Sequence, residues 1–74
     1  MIAMAEQEVH KVFQNIKLEE YVPAIVGKGF DDLEYLISLE GEDLIVFYEA
    51  VEISKVGHQQ RFKVKLLSLK ASRQ

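Results

Sequence analysis

Phe62, Leu66 and Leu69 follow one another at intervals of four and three residues, and His58 stands four residues before the first of them. That spacing gathers all four side chains on one face of an α-helix and would scatter them over both faces of a strand. It predicts a helix over about Val56 to Ser72, with Ser54 as its cap. A helix of that length is roughly 25 Å long. In a chain of 74 residues without a cysteine, everything before it must serve to cover its apolar face, because no disulfide or thiolate metal site can substitute for packing. Val64 and Leu67 fall off the stripe, so a second element, the first helix, is expected to cover them.

The preceding residues supply short helical patterns with turn signals between them. Val9, Phe13 and Ile16 recur at i, i+4 and i+7 and predict a helix from about Ala5 to Ile16, with Val12 widening its apolar face. Leu18-Glu19-Glu20-Tyr21 opens a second helix in which Pro23 must lie in the first turn. Gly27 or Gly29 then ends it through a left-handed residue. Asp31 or Asp32 can cap a short third helix through Leu36 or Ile37, and Ser38-Leu39-Glu40-Gly41 reads as a turn into a fourth. There the buried stripe is Leu44, Phe47 or Tyr48, and Val51, which leaves Ile45 and Val46 outside it. The β-branched pair would also suit a strand, but nothing else in the chain offers it a partner. The expected architecture is all-α: one domain over residues 1–74, with its core at about 8–70, built as a compact five-helix bundle with a long C-terminal helix.

Charge is segregated along the chain. Residues 29–54 hold eight acids and no base, and residues 55–74 hold six bases and no acid, although the net charge is only −3. Two oppositely charged regions can neutralise each other inside one fold or serve association. The apolar run Leu44–Tyr48 is five residues long, against about 20 for a membrane span. The Met1–Ala5 start is too short for a signal peptide and has no basic residue before it. The chain reads as a piece of a larger cytoplasmic or nuclear protein.

The order of these residues resembles a known family. Val9, Phe13, Ile16 and Leu18-Glu19-Glu20-Tyr21 come first, followed by Gly29-Phe30, Leu33, Leu36, Leu39 and Glu42-Asp43-Leu44. Ile53-x-Lys55-x-Gly57-His58 and then Phe62, Leu66 and Leu69 complete a pattern similar to the sterile alpha motif (SAM) domain over about residues 8–70. Two features depart from it. Val12 stands where the family usually has an aromatic residue, and the segment Leu44–Ile53 is about four residues longer than the common spacing. One extra helical turn or a bulge after the fourth helix should absorb those residues.

Catalytic chemistry finds no support in the residues. His10 and His58 are the only histidines and have no triad or metal-ligand spacing around them. His58 is expected to pack at the start of the last helix and bond to backbone. Glu40, Glu42 and Asp43 lack the glycine and spacing of a Ca²⁺ loop, and Gly27-x-Gly29 lacks the context of a phosphate loop. No catalytic residue, metal or cofactor is assigned.

The resemblance implies a non-catalytic protein–protein interaction module of the kind used in scaffolding and signalling. Its partner would be a SAM-type domain of the same or another protein, met head to tail, with homo-oligomers as one outcome. On the basic side the expected surface is Lys55, Val56, Gly57, His58 and Arg61, at the start of the last helix. On the acidic side it is Asp31, Asp32, Glu40, Glu42, Asp43 and Tyr48, with Ile45 and Val46 as candidate apolar anchors. The alternative is an RNA-binding SAM-type domain that uses Lys55, Arg61, Lys63 and Lys65. It ranks below, because Gln59 and Gln60 occupy the first turn, the pI is about 5.3, and no exposed aromatic pair is apparent for stacking bases. Lipid headgroup binding by the basic helix ranks lower still.

Overall fold

A computed structural model describes residues 4–72. Five α-helices follow in order: α1 Met4–Asn15, α2 Val22–Gly27, α3 Leu33–Ile37, α4 Glu42–Ala50 and α5 Val56–Ser72, with a 3₁₀ turn Glu19–Tyr21 leading into α2. The opening of the second helix at Leu18–Tyr21 is thus a 3₁₀ turn, and Pro23 sits in the first turn of α2 as its missing N–H requires. Ile45 and Val46 lie within α4, so the β-branched run is helical.

Helices α1, α2 and α4 end in the same way. Lys17, Gly29 and Glu52 take positive φ of 61°, 91° and 60°. In each case the next amide reaches back five residues: Leu18 to the Phe13 carbonyl, Phe30 to Ile25, and Ile53 to Tyr48, at 2.8–2.9 Å. The left-handed residue's own amide bonds the carbonyl three before it. These are Schellman motifs, which satisfy the last carbonyls of a helix and turn the chain sharply. Each is followed by a hydrophobic residue that enters the interior: Leu18 and Ile53 are buried, and Phe30 packs against the core. The longer Leu44–Ile53 segment is accounted for here, since α4 runs nine residues and the Glu52 turn takes up the remainder.

The core is built around Phe62 of α5. Its ring stacks on Phe13 of α1 at a centroid distance of 5.3 Å and on Phe47 of α4 at 5.2 Å, and Phe47 meets Phe30 edge-on at 4.9 Å. Val9, Leu36, Leu44, Val51 and Leu66 close around these rings. One expectation fails: Val64 and Leu67 are 68% and 57% exposed, and among the described residues no element covers them. The apolar face of α1 is already used on Phe62 and on α2 and α3, and a straight helix cannot bury the opposite side of its partner as well. Ser54 is also not the cap of α5. The first helical bond runs from the Gln59 amide to the Lys55 carbonyl, so Lys55 holds that position, and its side chain has no acceptor to offer. Arg73 lies outside the described residues.

Candidate protein-interaction surfaces

Elementary helix electrostatics accounts for much of the segregated charge. A helix C-terminus carries unpaired carbonyls and partial negative charge, and an N-terminus the reverse. Three bases of α5 serve the ends of other helices. The Arg61 guanidinium donates to the Ile16 carbonyl at 3.1 Å, and Lys65 Nζ to Asn15 Oδ1 at 3.1 Å, both at the end of α1. Lys70 Nζ donates to the Leu39 carbonyl at 3.3 Å, just past α3. The acids take the opposite positions. Asp32 Oδ1 accepts the Glu34 amide at 3.0 Å and caps α3, while Glu42 and Asp43 stand in the first turn of α4. An ion pair bridges the acidic and basic regions, Lys70 Nζ to Glu40 Oε2 at 3.8 Å, with the Glu40 side chain 83% exposed.

What remains at the basic end is gathered at the start of α5. Lys55 is exposed, Val56 is 65% exposed, and Gly57 faces open space, with nothing within 4 Å of where a Cβ would stand. The first-turn amides of α5 have no side-chain cap beside them, because Lys55 cannot provide one. His58 is half-buried and differs from expectation. Its Nδ1 is joined by a hydrogen bond to the Tyr21 hydroxyl rather than to backbone, with the two rings edge-on at 5.5 Å. Burial, and secondarily the Glu20 charge, raise the Tyr21 phenol above its ordinary value. Tyr21 and His58 tie the 3₁₀ turn to α5, so His58 shapes this end from beneath and Arg61 borders it from its tether on Ile16.

On the acidic side the two apolar candidates separate. Ile45 and Val46 are 56% and 59% exposed, as the stripe of α4 predicts. Ile45, however, lines a groove between α4 and α5, whereas Val46 does not border it and stays on the outer face of α4. Tyr48 is half-buried, and its hydroxyl donates to the Gln59 carbonyl at 3.1 Å. Its ring packs against Phe47 and Phe62, so only part of it is offered to a partner. Asp31 is half-buried, and Glu42 and Asp43 are exposed.

A model of the SAM domain (sterile alpha motif) family matches residues 5–70. The chain belongs to the sterile alpha motif family. No curated protein and no solved structure gives a match. The family assignment agrees with the all-α bundle and its long last helix. SAM domains generally serve as non-catalytic protein–protein interaction modules.

Two surface features of the SAM domain escape sequence reasoning. Tyr35 is 51% exposed and stacks at 6.0 Å on Phe30, which is itself half-buried against the core, so a single exposed ring stands here rather than an exposed aromatic pair. It stands among Asp31, Asp32 and Glu34, an unsuitable setting for a polyanion. The signal was present: Leu33, Leu36 and Ile37 fill the buried face of α3, which turns Tyr35 outward. The second feature is the α4–α5 groove itself. Among the described residues no helix is long and apolar enough to cross a membrane.

Proposed function

We propose that this SAM domain binds another SAM-type domain head to tail, its own copy or that of a different protein. The observation that carries the reading is the uncapped, unobstructed start of α5. Free first-turn amides and the positive end of the helix dipole attract carboxylates. Open space at Gly57 admits a partner's backbone, and Val56 supplies an exposed apolar contact. Lys55 adds charge, and Arg61 can grip a carboxylate with two N–H groups. The acidic counterpart is Asp31, Asp32, Glu40, Glu42 and Asp43, with Val46 as the exposed aliphatic anchor among them and Tyr48 at its margin. A contact between unlike surfaces of identical chains does not close on itself, so self-association of this kind builds filaments.

Rim charges contribute about 1 kcal/mol each, so single changes only weaken the contact and reversal of two charges is required. Lys55→Glu with Arg61→Glu should abolish association, and so should Asp31→Lys with Asp43→Lys. Each variant is first shown by circular dichroism to remain folded. In a self-associating domain, mixing the two variants restores a pair that cannot extend. Association that persists in both variants overturns the reading. Binding of RNA that disappears only with the first variant would favour the nucleic-acid alternative.

A further inference from the structure

The outward side of α5 carries a second periodic pattern. Gly57, Gln60, Val64, Leu67 and Ala71 follow one another at intervals of three, four, three and four residues, and all of them are exposed. That alternation is the a and d spacing of a coiled-coil seam, and it gathers these residues on one face of the helix. None of them is charged, and the aliphatic side chains of Val64 and Leu67 are 68% and 57% exposed. From Gly57 to Ala71 the seam is about 21 Å long, about four turns of helix. Small residues at its two ends admit a close backbone approach, and Gln60 is its polar member. The positions that flank such a seam are Val56, Arg61, Lys63, Ser68 and Lys70, which include bases and no acid. Arg61 bonds a neutral carbonyl, so its charge is not cancelled. Among the described residues no hydrogen bond or ion pair engages Lys63, and Lys70 is the flanking base with an acid, Glu40, beside it.

We propose that α5 docks an acidic amphipathic helix of a partner protein, which packs along this seam as the second strand of a short coiled coil. Charge selects the occupant. Aliphatic side chains of the partner cover Val64 and Leu67, and carboxylates on either side of them face Lys63, Lys70 and Arg61. A second copy of α5 does not fit. No flanking position of the helix holds an acid, and an antiparallel pair would set Lys63 of one copy against Lys70 of the other. Helix α4 is acidic but has nine residues, too few to follow four turns. An anionic membrane fits less well than a helix. Val56, Val64 and Leu67 are the exposed large hydrophobic side chains of α5, no aromatic ring stands among them, and the chain carries a net charge of −3. The seam does not rest on head-to-tail association, whose basic surface lies at the start of α5 and includes none of Lys63, Val64 and Leu67.

Fluorescence anisotropy of a labelled three-heptad peptide tests the docking, with leucine at a and d and glutamate at e and g. Repulsion between its acids opposes pairing of the free peptide. It should bind the 74-residue chain, and the same peptide with lysine at e and g should bind about tenfold more weakly or worse. Val64→Gln with Leu67→Gln, at exposed positions that leave the core intact, should weaken the glutamate peptide by about tenfold or more, because two aliphatic side chains no longer leave water. Lys63→Glu should weaken it severalfold. Equal binding of the two peptides overturns the proposal, as does binding that survives the double substitution or no binding at about millimolar peptide. So does a chain that ignores the glutamate peptide but sediments with vesicles of phosphatidylserine and phosphatidylcholine in equal parts, since a lipid surface would then take the seam. Peptide binding that is lost with Lys55→Glu and kept in the double variant belongs to the head-to-tail surface, an outcome that overturns the seam and leaves head-to-tail association standing.

Discussion

Lys17 and Glu52 hold φ near +60° without being glycine. An L-residue there loses about 1–2 kcal/mol to the clash of its Cβ with the following carbonyl, whereas glycine loses only its extra unfolded-state freedom, about 0.5–1 kcal/mol. Lys17→Gly and Glu52→Gly should therefore each raise stability by about 0.5–1 kcal/mol, read as a higher urea midpoint at unchanged slope. Gly41, which precedes α4 with φ 58° and ψ −129°, occupies a region nearly closed to other residues. Nothing lies within 4 Å of a Cβ built there, so Gly41→Ala should lower stability through backbone strain alone, by about 1–3 kcal/mol in the same titration. Tyr48 makes a prediction about pH. Burial holds its phenol above the ordinary value. The folded chain thus keeps a proton that the unfolded chain gives up first, so the contribution is complete below about pH 10 and is lost as pH rises through the folded value. Tyr48→Phe should lower stability at pH 7 by about 1 kcal/mol through the lost bond to the Gln59 carbonyl, and its decline above pH 10 should be shallower than the parent's.

At the scale of elements, α5 holds the bundle together through a single aromatic side chain. Phe62 touches the rings of Phe13, Phe47 and Tyr48 at once. Phe62→Ala should lower stability by about 3–5 kcal/mol, a large part of the 5–15 kcal/mol that small domains possess, and thermal melting with urea titration would show it. Phe62 was legible in the sequence because apolar spacing reports which face of a helix is buried. The same spacing left Ile45 and Val46 outside the buried stripe, while residue type narrowed the cap of α3 to Asp31 or Asp32 and the left-handed end of α2 to Gly27 or Gly29, of which the structure uses Asp32 and Gly29. Spacing could not say whether the opposite side of α5 is covered. Periodicity describes one helix at a time, and Val64 and Leu67 depend on how many neighbours α5 has. The left-handed turns at Lys17 and Glu52 were equally hidden, since only glycine and asparagine announce such a turn by their identity. The Tyr21–His58 bond spans 37 positions and depends on tertiary packing that neither local sequence encodes.

For the whole molecule, the radius of gyration of 11.3 Å equals what about 74 closely packed residues should give. The two charged regions lie on its surface with Lys70–Glu40 as a bridge between them, and an exposed pair of that kind is worth about 0–1 kcal/mol. The charges that serve no helix end, Lys55 and Lys63 among the bases, are left to a partner. Association through them should weaken steeply between low salt and about 0.5 M, where the Debye length falls to a few ångströms, while the melting temperature of the isolated domain changes little. Light scattering and calorimetry on one salt series would separate the two effects. The bases of α5 that close over the ends of α1 and α3 also govern the order in which the chain can acquire structure. Arg61 bonds across 45 positions and Lys65 across 50, and Phe62 completes an aromatic cluster whose other members all precede it. During synthesis the first four helices would leave the ribosome with Phe13 and Phe47 facing an absent partner and the carbonyls at the end of α1 still hydrated. Cooperative folding must wait until Leu66 has emerged, so nascent chains arrested before Phe62 should be protease-sensitive, and those released past Ser72 should be resistant.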